Sequence, residues 1–127
     1  PFNASDEDTT IIKELFDTIG STIITDEQHL AAGMILASCG TAFAMRYIRA
    51  SVEGGVELGF RAAEATQIVA QTVKGAARLL MTDGGHPEAE IDKVTTAGGI
   101  TIKGLNAMEQ AGFTGAVIQG LKVAAGK

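Results

Sequence analysis

Apolar residues first recur at helical spacing in Ile11, Ile12, Leu15, Phe16 and Ile19, with Lys13, Glu14 and Asp17 opposite. Ser5-Asp6-Glu7-Asp8 sets a capping residue and acids ahead of this run, and Gly20 ends it, so the pattern predicts a helix between them. The β-branched stretch Ser21-Thr22-Ile23-Ile24-Thr25 reads as one strand. A lone strand needs neighbours, so it is expected at the edge of a sheet whose other strands are missing.

From Asp26 onward the pattern predicts helices only. One opens at Asp26-Glu27 and runs through Leu30, Met34 and Ile35, with a break near Ser38-Cys39-Gly40. A second runs from about Thr41 through Phe43, Tyr47, Ile48 and Val52, and Gly54, Gly55 and Gly59 interrupt the next stretch. The clearest helix covers residues 62–82, with Glu64, Gln67, Gln71, Lys74 and Arg78 on one face and Ala65, Ile68, Val69, Val73 and Leu79 on the other. Asp83-Gly84-Gly85 stops it, and Pro87 suits the first turn of a short helix carrying Ile91 and Val94. A glycine turn at residues 95–99 leads into a helix with Ile102, Leu105 and Met108. Ala111-Gly112 breaks it before a last helix with Val117, Ile118 and Leu121. The fold class expected is therefore all-α. Residues 30–45 have almost no polar face, and a helix apolar all round must be buried. One small chain offers few neighbours to cover it, which points to an obligate dimer.

Composition narrows the choices. With 127 residues and 46% hydrophobic content the chain can bury a core without a metal or disulfide. It has 16 Gly, one Tyr and no Trp, which favours close helix packing over a bulky aromatic core. A net charge of −5 with scattered basic residues argues against nucleic acid as a partner. Cys39 is the single cysteine, which suits a reducing, cytoplasmic setting and excludes an intrachain disulfide. Residues 28–45 approach membrane-spanning length but contain Gly33, Ser38, Gly40 and Thr41, and read as protein-buried helix rather than a membrane span. The first ten residues are polar and acidic, unlike a signal peptide, and the start without Met suggests an excised or processed segment.

Most polar candidates have a plain structural reading. His86, ahead of Pro87, reads as a cap. His29 is read as lacking ligands at metal spacing, so no metal is expected. Ser38-Cys39-Gly40 resembles a nucleophile turn without the histidine and acid that would activate it. No G-x-G-x-x-G follows a strand, so the chain has no dinucleotide loop of its own. The informative motif is V-T-T-A-G-G-I-T-I, from Val94 to Ile102. Glycines before a helix leave amide donors approachable, and a helix start carries partial positive charge, which together seat a carboxylate or phosphate. Thr101 adds a hydroxyl there.

The segment V-T-T-A-G-G-I-T-I-K-G-L resembles the V-T-S-P-G-G-T-T-I-x-G-L signature of pyrroline-5-carboxylate reductases. Ala65, Gln71-Thr72 and Gly75-Ala76-Ala77 echo a family helix, His86-Pro87 falls at the family distance, and Glu109 to Phe113 echoes the family turn next along the chain. The resemblance implies an interlocking helical dimerisation and substrate-binding domain over residues 25–127. Residues 1–24 would be the helix-strand remnant of a Rossmann domain. It further implies hydride transfer from NAD(P)H to 1-pyrroline-5-carboxylate, giving L-proline, in a homodimer or higher oligomer; the charge and the interrupted apolar run already speak against a nucleic acid or membrane partner. The segment alone would lack the cofactor site and be inactive. Val94, Gly98, Gly99, Ile100 and Thr101 would bind the imino acid, with Thr101 catalytic and approaching the ring nitrogen. The chain departs from the signature at Thr96, Ala97 and Ile100, carries Ser38-Cys39-Gly40-Thr41-Ala42 for the usual G-S-G-P-A, and has Gly84 where some relatives carry Glu. A non-catalytic helical dimerisation module, and the helical half of a β-hydroxyacid or other imine dehydrogenase, are the alternatives.

Overall fold

The structure, a computed structural model, describes residues 4–83 and 85–127. Gly84, one of the departures from the family pattern, therefore lies outside the described residues. The chain divides into two compact units, residues 1–31 and 32–127.

In the first unit, helix α1 (Asp6–Asp17) starts on a reciprocal cap. The Ser5 hydroxyl accepts from the Asp8 amide at 3.1 Å, and the Asp8 carboxylate accepts from the Ser5 amide at 3.0 Å. The Ser5 hydroxyl also donates to that carboxylate, and these bonds hold Asp8 below the usual carboxylate range. At the other end Asp17 pairs with Lys13 and accepts from the Thr22 amide at 2.8 Å. Lys13 first, then Thr22, pull the Asp17 carboxyl down to about 2.

The expected strand over residues 21–25 does not form. β-Branched residues fit a strand only where a neighbour pairs with it, and no strand occurs among the described residues. The Thr22 amide is taken by Asp17 instead. The all-α expectation holds without that element.

Helix α2 (Glu27–Met34) passes through a π-helical turn (Ile35–Cys39) into α3 (Gly40–Glu57). The expected break at Ser38-Cys39-Gly40 is thus a widened turn. Gly40 keeps helical angles, φ −54° and ψ −34°, and its amide reaches back to the Ile35 carbonyl. Nor do Gly54 and Gly55 interrupt the helix, since both lie inside α3. At Gly55 the neighbouring helix comes so near that an added Cβ would stand 3.0 Å from the Ala65 Cβ. Gly59, at φ +102°, makes the real stop.

Helix α4 (Ala62–Asp83) packs on α3 through this contact, and Val52 and Ala65 are buried at the seam. Three more helices complete the chain: α5 (Pro87–Lys93), α6 (Ile100–Gln110) and α7 (Phe113–Ala124), with Gly112 at φ +85° turning the chain between the last two. Tyr47 of α3 meets Phe113 of α7 edge-to-face, with centroids 6.2 Å apart.

Burial of residues 30–45, expected from their pattern, is not met within this one chain: Leu30, Met34, Leu36 and Met45 are each about 60% exposed. Val52 and Ala65 are the only buried apolar side chains among the described residues. Large apolar side chains of several helices stand exposed in the single chain.

Candidate functional site

The glycine turn is built from both sides. Ahead of it, α5 begins with Pro87 at its first position and the His86 ring accepting from the Glu88 amide at 3.3 Å, so His86 is a cap. The helix closes at Val94, whose amide donates to the Ile91 carbonyl. The Thr95 amide and hydroxyl both donate to the Asp92 carbonyl at 3.3 Å. The chain then reverses over residues 96–99. The Gly99 amide donates to the Thr96 carbonyl at 2.9 Å, and Gly98 sits at φ +70°. A positive φ at the third residue of such a turn is the glycine-demanding geometry. Gly99 is required for a different reason: an added Cβ would lie 2.5 Å from the Thr96 hydroxyl oxygen and 3.0 Å from its carbonyl oxygen. Thr96, singled out in the sequence only as a departure, is thus what shapes the turn.

This geometry redistributes the donors read from the motif. The Gly99 amide is committed to the turn, while the amides of Gly98, Ile100 and Thr101 find no partner among the described residues. Helix α6 has no side-chain cap and no acidic residue in its first turn, whereas α1 has Ser5 with Asp6, Glu7 and Asp8, and α5 has His86 with Glu88 and Glu90. Its positive end is left uncompensated. The Thr101 hydroxyl is likewise free among the described residues. Thr41, Thr66, Thr72 and Thr82 all donate back to the carbonyl four residues earlier, but Thr101 stands too near the start of its helix for that bond to form. Val94 is 63% and Ile100 89% exposed, so both ends of the turn carry exposed apolar side chains. An acceptor-rich anion with a small apolar body matches such a surface.

Thr101 and Met108 are seven residues apart on α6, hence on one face and about 10 Å apart along the axis. Met108 lines an apolar cleft of about 540 Å³ between α3, α6 and α7, together with Phe43, Arg46, Tyr47, Phe113 and Val117. The sequence pattern does not single out this cleft. Its signal is the helical spacing of Phe43 and Tyr47 opposite Phe113 and Val117, legible only once the helices are paired.

The other candidates carry less. The Ser38-Cys39-Gly40 segment is helical, with Cys39 half-buried in the π-helical turn. His29 does have a partner that the metal-spacing argument passes over, Asp26, at 2.7 Å from its Nδ1. That is a pair at the start of α2, and no group of three potential metal ligands occurs among the described residues. No strand and no G-x-G-x-x-G loop are present among them. The helical run Glu27–Glu57 is long and apolar enough to cross a membrane by length and composition.

A sequence profile described as pyrroline-5-carboxylate reductase dimerisation matches residues 27–127. The chain is 47% identical over 124 residues to pyrroline-5-carboxylate reductase 1 of Dictyostelium discoideum, covering 98% of this chain and 22% of that one. It is 44% identical over 117 residues to pyrroline-5-carboxylate reductase 2 of the same organism, covering 92% and 39%. Among solved structures, 1-pyrroline-5-carboxylate reductase from Streptococcus pyogenes superposes with a TM-score of 0.85 at 32% identity, over 95% of this chain and 47% of that one. The chain thus spans between about a fifth and a half of the relatives it matches.

Proposed function

Because this chain belongs to the pyrroline-5-carboxylate reductase dimerisation family, we propose that it is the subunit-pairing and substrate-anchoring part of an enzyme reducing 1-pyrroline-5-carboxylate to L-proline. The observation that carries the reading is the start of α6: the Gly98, Ile100 and Thr101 amides and the Thr101 hydroxyl, without partners among the described residues, at the positive end of a helix with no side-chain cap and no acidic residue in its first turn. The amides of Gly98, Ile100 and Thr101 bind the substrate carboxylate, and Gly99 holds the turn that presents them. The Thr101 hydroxyl donates to the ring nitrogen as the catalytic contact of this segment. Val94 and the Ile100 side chain wall the ring. Fixing a small ring at both its acid and its nitrogen is the positioning such a reaction requires. The hydride comes from NAD(P)H held by another part of the enzyme, and this segment alone is inactive.

The working assembly is a homodimer, or a larger oligomer built on it. The apolar side of the Glu27–Glu57 run and the cleft between α3, α6 and α7 are covered by the second copy, not by lipid. The exposure of Leu36 and Met45 in the single chain supports this reading. With a charge of −5 the domain repels nucleic acid, and a cytoplasmic setting keeps Cys39 reduced.

The test is turnover by the complete enzyme. Oxidation of NADPH or NADH with 1-pyrroline-5-carboxylate, yielding proline, is expected, with little or no rate on 2-hydroxy or 2-oxo acids. Turnover confined to the hydroxy or oxo acids would overturn the imine assignment, and no turnover on either would leave a helical pairing module.

A further inference from the structure

We draw no further inference here: the strongest candidate, the apolar cleft between α3, α6 and α7 lined by Phe43, Tyr47, Met108, Phe113 and Val117, belongs to the subunit contact already proposed, and nothing in the structure shows a different occupant for it.

Discussion

The Gly99 amide donates to the Thr96 carbonyl at 2.9 Å, and the missing Gly99 side chain leaves room for the Thr96 hydroxyl. Two glycines stand side by side in the motif for unlike reasons. Gly98 has open space around it but a φ of +70°, while Gly99 has an ordinary φ of −66° and no space.

Gly99→Ala is therefore expected to lower the unfolding free energy by about 1–3 kcal/mol, the usual cost of forcing an extra methyl into a filled site. Thr96→Ala in the same chain should recover only part of that loss, because the Thr96 carbonyl still lies 3.0 Å from the added Cβ. Gly98→Ala should cost about 1–2 kcal/mol through backbone conformation alone, with no recovery from Thr96→Ala. Urea unfolding of the four variants separates the two causes. Equal rescue of both glycine variants by Thr96→Ala would contradict the steric account.

Much of this fold is legible in the sequence. The Ser5 cap, the Pro87 start and the long α4 can be read from residue type and spacing, because caps and amphipathic faces are local properties. Residues 21–25 mislead because a strand is a property of two segments, and β-branched residues say only that one of them is willing. Gly40, Gly54 and Gly55 look like breaks for a related reason. A glycine inside a helix lowers its propensity, but the widened turn at Gly40 and the Ala65 approach at Gly55 outweigh that preference. Around the candidate site, the motif marks a glycine turn but does not say which amide closes it. That depends on the Thr96 carbonyl, whose direction no residue pattern encodes.

Low pH should act on the end of α1. The folded Asp17 carboxyl lies at about 2, against an ordinary value of 3.8, and Asp8 is shifted in the same direction. A depressed folded value means that the carboxylate's contribution is complete above the ordinary value and is lost as pH falls through the folded one. Between roughly pH 4 and pH 2 the Lys13 pair and the Thr22 bond should give way, with loss of helical signal from α1. A carbon-detected NMR titration of the Asp17 carboxyl reads the midpoint directly, and Asp17→Asn should flatten this part of the stability curve. A midpoint near 4 would show that the Lys13 and Thr22 contacts are not formed in solution.

Subunit pairing can be probed from inside the cleft. Val117 is 42% exposed in the single chain and faces Phe43, Tyr47 and Met108. Val117→Glu leaves a lone chain able to hydrate the new charge, but in a covered cleft the carboxylate loses its water, at a cost of several kcal/mol. Sedimentation equilibrium of the complete enzyme should then show dimer dissociation at least a hundredfold easier. Val117→Leu, which adds only apolar volume, should remain paired. A Val117→Glu enzyme that stays dimeric at low micromolar concentration would place the subunit contact elsewhere.

The catalytic assignment rests on Thr101, and its free hydroxyl makes it unusually clean to test. Thr101→Val keeps the branched shape and removes only a hydroxyl that bonds to nothing in the chain among the described residues. The unfolding free energy should move by less than about 0.5 kcal/mol, as for an ordinary exposed substitution. If the hydroxyl donates to the ring nitrogen, the complete enzyme should lose about three- to tenfold in kcat/KM, the worth of one neutral hydrogen bond. The loss should fall on kcat more than on KM, because the carboxylate is held by the backbone amides and the nitrogen is where charge changes during reduction. Thr101→Ser, which retains the donor, should recover most of the rate. Wild-type kcat/KM in Thr101→Val would remove Thr101 from the chemistry and leave it as helix surface. A rise in KM at constant kcat would reassign it to anchoring the carboxylate.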